Sequence, residues 1–120
     1  DPSTVVRVST GLYMAGSVTL LAAFLTGRSA APEVYTPGMA QAIVVRHWDW
    51  ALWCVWYFGL LTAGRVGLQL AAGVPRRTST VALAVAGLAG LVLLTNTAEL
   101  GGRLVYQHGV GVAAPVARNP

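Results

Sequence analysis

The sequence predicts an all-α membrane protein, three transmembrane helices in an up-down-up bundle forming one domain over residues 1–120. Composition is the first observation behind this. Of the 120 residues, 55% are hydrophobic and only 10% charged, against about 25% charged in ordinary soluble domains. A small soluble domain has much surface per volume and needs polar residues to cover it. The second observation is the spacing of charge, which leaves three apolar runs of about bilayer length. A hydrocarbon layer about 30 Å thick takes roughly 20 helical residues to cross. The third is the lack of the strict alternation that a membrane β-barrel requires. A backbone in lipid must satisfy its own hydrogen bonds, so the runs read as helices.

The first helix is expected at about residues 5–26, with no charge between Arg7 and Arg28 and Gly27 as a C-cap. The connection that follows holds Pro32, Glu33, Pro37 and Gly38. Its length suits a surface loop or a short interfacial helix from about Met39. The second helix is expected at about 46–72, opening with Arg46-His47-Trp48-Asp49-Trp50, interrupted by Arg65 and stopped by Gly73 and Pro75. The third is expected at about 80–107, capped by Thr78 or Ser79, with a Pro/Ala tail beyond Val112.

The net charge of +4 comes entirely from arginine among the basic residues. Only Arg76 and Arg77 are adjacent, so there is no basic stripe of the kind nucleic acid requires. The expected partners are membrane lipid and other transmembrane subunits. Counted by side, Arg7, Arg65, Arg76 and Arg77 balance Arg28, Arg46, Arg103 and Arg118. Pairing of Arg46 and Arg103 with Asp49 and Glu99 tips the balance toward a cytoplasmic N-terminus in a bacterial inner membrane. The lone Cys54 excludes an internal disulfide and reads as a small buried hydrophobe. The chain opens on Asp1 rather than Met, which reads as a processed or partial product, and it shows no signal-peptide pattern. No P-loop, GxSxG, HExxH or CxxC pattern is present, so no enzyme is expected.

Four sets of residues stand out. In a tight hairpin His47 falls level with Val105, within about 5 Å of the height of His108 at about 1.5 Å per residue. Two histidines at one level can ligate a b-type haem or part of a metal site, or simply bond to backbone and water. Adjacent helix axes about 8–10 Å apart leave little room for a haem between them, so a cofactor shared with a neighbouring subunit is easier to build. Arg46, Asp49, Glu99 and Arg103 form a second set, read as a buried charge network fixing helix register or as an ion path. Gly87, Gly90, Thr97 and Gly101 share the opposite face of the third helix and read as a helix-packing surface; Gly59, Gly64 and Gly67 extend the small-residue character to the second helix. All four tryptophans lie between Trp48 and Trp56, a belt or stripe facing lipid, a core, a pigment, a quinone or a partner helix.

The segment Gly101-Gly102-Arg103-Leu104-Val105-Tyr106-Gln107-His108-Gly109-Val110-Gly111 resembles the closing motif of an uncharacterised family of bacterial four-helix membrane domains, GG-x-LVY-x-HGVG. Thr26-Gly27 and His47 extend the similarity, which covers residues 5–112. Family members carry a further N-terminal helix, opening with His-Pro and a second His, that does not appear in these 120 residues. Some are fused to Rieske iron–sulfur domains. The resemblance implies membrane redox chemistry, with His47 and His108 as the matched haem-ligand candidates. The expected function is a non-catalytic accessory subunit of a larger respiratory or photosynthetic membrane complex. The alternative is a b-type haem electron-transfer protein, and a small channel or transporter ranks third.

Overall fold

The computed structural model describes residues 1–72 and 76–112. The expected helix stop at Gly73 and Pro75, and the tail with Arg118, lie outside them. The described residues are helical, with no strand: α1 (Pro2–Ala30), α2 (Gln41–Ala72) and α3 (Arg77–Tyr106). All three are long and apolar enough to cross a membrane.

Each helix is longer than the sequence suggests, and its caps explain why. Asp1 accepts from the Ser3 amide at 3.2 Å, and Pro2 occupies the first turn, where its missing N–H costs nothing. Helix α1 therefore starts at Pro2. It does not stop at Gly27, which stays helical; the chain leaves the helix after Ala30 through a short 3-10 turn, Ala31–Glu33, that carries Pro32. A second 3-10 turn, Gly38–Ala40, leads directly into α2, and Ala40 is fully buried. What reads as a separate interfacial helix is thus the lead-in to α2. Arg76, in an extended conformation, precedes α3, which places Thr78 and Ser79 inside the helix rather than at its cap. At the other end Gly109 takes φ 64° and Gly111 φ 78°, the left-handed region that costs glycine least. Gly109 turns the chain so that the Val110 amide donates to Leu104 O at 2.9 Å.

Helices α1 and α3 each pack on α2 and barely touch each other. Tyr13 meets Arg65 and Phe24 meets Trp48, so numbering falls along α2 as it rises along α1. The same holds between α2 and α3, where His47 and Cys54 meet Thr97 and Tyr57 meets Ala86. The interior is thin: Cys54, Leu100, Leu104, Thr10 and Thr62 are buried, as are Gly87 and Gly90. Most large apolar side chains face outward, Leu12 at 68% and Leu70 at 83% exposure among them. In water such a surface would aggregate; against acyl chains it costs nothing.

A candidate functional site around His47

The small residues of α3 mark where its neighbours approach. A Cβ at Gly90 would stand 2.5 Å from Phe58 Cζ and 3.0 Å from Tyr57 Cε1. At Gly87 it would meet the Tyr13 hydroxyl at 2.5 Å, and at Gly101 His47 Cε1 at 3.0 Å. Gly87 faces α1, whereas Gly90, Thr97 and Gly101 face α2. Gly59, Gly64 and Gly67 have nothing within 4 Å of such a Cβ, so they mediate no close contact inside the chain.

Thr97 ties α2 to α3 twice. Its hydroxyl donates to Leu93 O at 2.8 Å. With its one hydrogen so used, it accepts from the Cys54 thiol at 3.2 Å. Its carbonyl lies 3.0 Å from His47 Nδ1. A carbonyl only accepts, so Nδ1 carries the hydrogen, and in the neutral ring Nε2 is left as an acceptor. Tyr57 adds a third tie, donating to Ala86 O at 2.6 Å. The α1–α2 seam is polar in the same way. Ser17 reaches Phe58 O at 3.1 Å and Thr62 Oγ1 at 2.7 Å, and Thr62 reaches Tyr13 O at 3.3 Å. In lipid such bonds average about 0.6 kcal/mol each. Lower on this seam Arg65 lies over the Tyr13 ring at 4.6 Å, while Arg65 Nε and Gln69 Oε1 are buried without a hydrogen-bond partner.

A cavity of about 660 Å³ opens where the end of α1, the connecting loop, the start of α2 and the end of α3 converge. This lies within the roughly 300–1,000 Å³ usual for small-molecule sites. Arg28, Thr36 and Gln41 line it toward the loop; Leu20, Ala51 and Cys54 line it at depth; His47 stands between. Phe24 and Trp48, in edge-to-face contact with centroids 6.4 Å apart, form part of the wall. Arg28 sits over Trp48 at 6.0 Å.

The histidines are therefore not brought together as their heights suggest. His47 lines the cavity and His108 does not; His108 sits half-buried in the turn after α3. The cavity therefore offers one of the two candidate ligands, His47, and not the pair. Among the described residues no three His, Cys, Asp or Glu side chains cluster to hold a metal ion.

The expected buried charge network also fails to form. Glu99 and Arg103 pair at 2.6 Å, but both are about half exposed, at 56% and 46%. Arg46 and Asp49 are exposed, and among the described residues neither makes an ion pair. Helical phase is the reason. Glu99 and Arg103 each lie two residues, about 200°, from Thr97 and Gly101, which face α2. The aromatic stripe divides for the same reason: Tyr57 turns onto α3, while Trp53 and Trp56 are 67% and 62% exposed.

Nothing in the sequence flagged Arg28, Gln41 or Ala51 as cavity residues. They come from elements that meet only once the loop folds back, and no local pattern marks them. No protein-family model, no curated protein and no solved structure matches the chain.

Proposed function

We propose that this chain is a non-catalytic transmembrane accessory subunit of a larger bacterial redox or energy-transducing membrane complex, respiratory or photosynthetic. Its helices cross the inner membrane up, down and up, with the N-terminus in the cytoplasm. The groove between α1 and α3 carries this reading. It measures about 550 Å³ and is lined by Leu12, Gly16, Leu20, Leu88 and Leu91, with Phe58 of α2 as its floor. A Cβ at Gly16 would touch nothing within 4 Å. A foreign helix seated there would meet the small, close-approach surface on which association in lipid depends. The resemblance at Gly101–Gly111 to a family with Rieske-fused members supports the redox setting.

Gly16→Leu tests the reading, because the groove has room for the side chain and the chain's own fold does not change. The variant is expected to keep its helicity yet fall from a high-mass band to the free chain on native gels of detergent-solubilised membranes. Unchanged high-mass assembly would sink the reading. The alternative, a b-type haem electron-transfer protein, calls for His47 and a second ligand from another chain. Reduced-minus-oxidised spectra of the assembled membrane protein test it: b-type bands that vanish in His47→Ala and persist in His108→Ala are its signature.

A further inference from the structure

The cavity around His47 has the chemistry of a ligand site. The Nδ1–H is committed to Thr97 O at 3.0 Å, and no hydrogen bond to Nε2 is made among the described residues. The ring lies beside Gly101 of α3, where a Cβ would come within 3.0 Å of Cε1 and 3.7 Å of Nε2, and the Thr97 bond fixes its orientation. His47 thus presents a fixed hydrogen-bond acceptor to a cavity that is polar at one end and apolar at the other. Leu20 lies ten residues before the end of α1, about 15 Å along its axis, so the apolar end reaches well below the loop. A ligand that satisfies these features needs an O–H donor, an aromatic head to pack against the Phe24–Trp48 wall, and an apolar tail. A phospholipid head is a poorer match. Its phosphate accepts rather than donates, and Arg28, the only cation on the lining among the described residues, is exposed near the loop and already placed over Trp48.

We infer that this cavity binds a membrane-soluble quinol or related phenol, whose hydroxyl donates to His47 Nε2 while its ring packs against the wall that Phe24 and Trp48 form. The oxidised quinone, which has no O–H, binds less tightly. The inference rests on the membrane setting proposed above but not on any partner subunit, so it is tested on the isolated chain.

The test is nitrogen NMR of the chain in lipid nanodiscs, labelled with ¹⁵N-histidine, using His108→Gln to leave one ring in view. Without ligand, His47 should show one protonated and one bare nitrogen. Decylubiquinol should move the bare Nε2 resonance saturably. Decylubiquinone at the same concentration should move it little, with about tenfold weaker binding. Ala23→Leu, which fills the cavity from α1 rather than from the helix that carries His47, should abolish the shift, with circular dichroism confirming an intact helical fold. A shift that fails to saturate, or that survives Ala23→Leu, would overturn the inference as mere partitioning. Equal response to both redox forms would overturn the hydroxyl–Nε2 contact. Decylubiquinol binding is also followed by quenching of tryptophan fluorescence, with Trp48 on the cavity wall; its loss in Arg28→Gln but retention in His47→Phe would point to an anionic head and overturn the inference too. Each of these outcomes leaves native-gel assembly untouched, so failure here is separable from failure of the accessory-subunit reading.

Discussion

Gly90 and Gly102 differ by twelve residues and belong to the same helix, yet their substitutions should behave oppositely. A Cβ at Gly90 runs into two aromatic rings of α2, whereas at Gly102 nothing lies within 4 Å. Overpacking a tight contact costs about 1–3 kcal/mol. Gly90→Leu is expected to destabilise the detergent-solubilised protein by about that much in thermal or SDS unfolding, and Gly102→Leu by less than about 0.5 kcal/mol. Equal losses at both sites would refute the packing face. Glu99 supplies a second contrast. Its bond to Arg103 is short at 2.6 Å, but the two side chains are half exposed, and such i,i+4 pairs contribute about 0.3–0.5 kcal/mol. Glu99→Gln should therefore change stability by no more than that; a loss above about 1.5 kcal/mol would mean a dry pair. The small-residue face of α3 was legible in the sequence because period alone places Gly87, Gly90, Thr97 and Gly101 together. The burial of Glu99 and Arg103 was misread from the same period: a helix that turns its small face to α2 must turn their face away.

At the scale of one helix, α2 departs most from a plain membrane span. Arg65 points into the α1 seam with Nε unpartnered, against an aromatic ring rather than a carboxylate. The cation–π contact contributes about 0.5–2 kcal/mol, while a buried charged donor left unpartnered costs about 1–3 kcal/mol or more. The cost outweighs the gain, so Arg65→Met is expected to leave the fold as stable or more stable by up to about 2 kcal/mol in SDS unfolding. A loss beyond about 1 kcal/mol would mean that Arg65 holds α1 in place. Helix existence could be read from charge-free runs, but helix ends could not. Asp1, Arg76 and the loop after Pro37 set them, through caps and 3-10 turns whose signals are weak beside the apolar runs. The positive-φ glycines of the closing motif are the exception, since a stop is what Gly109 and Gly111 impose.

For the whole molecule, the pairing of seams yields a labelling pattern. The end of α1, the start of α2 and the end of α3 gather at the cavity, while the start of α3 lies at the other end. Cys54 is fully buried, so single cysteines can be added without removing it. In sealed right-side-out vesicles, Ser29→Cys and Gln107→Cys should share one accessibility to an impermeant maleimide, and Thr78→Cys should show the opposite. Equal labelling at all three would refute the crossing pattern. This placement rested on hairpin counting that the sequence supports. The cavity did not, because hairpin counting sets His47 level with Val105, whereas it meets Thr97 and Gly101, seven or more residues before His108.

The polar seam between α1 and α2 also bears on how the chain is made. Ser17 waits for partners 41 and 45 residues downstream, and Tyr13 O for a hydroxyl 49 residues on. At about 5–20 residues per second, α1 spends roughly 2–10 s beside the ribosome before its mate exists. During that interval the Ser17 hydroxyl has a local refuge, the carbonyl one turn back, which Thr19, Thr26 and Ser29 keep for good. Docking then consists of one hydroxyl letting go of its own backbone to grip another helix, a swap that never leaves a polar hydrogen bare in oil.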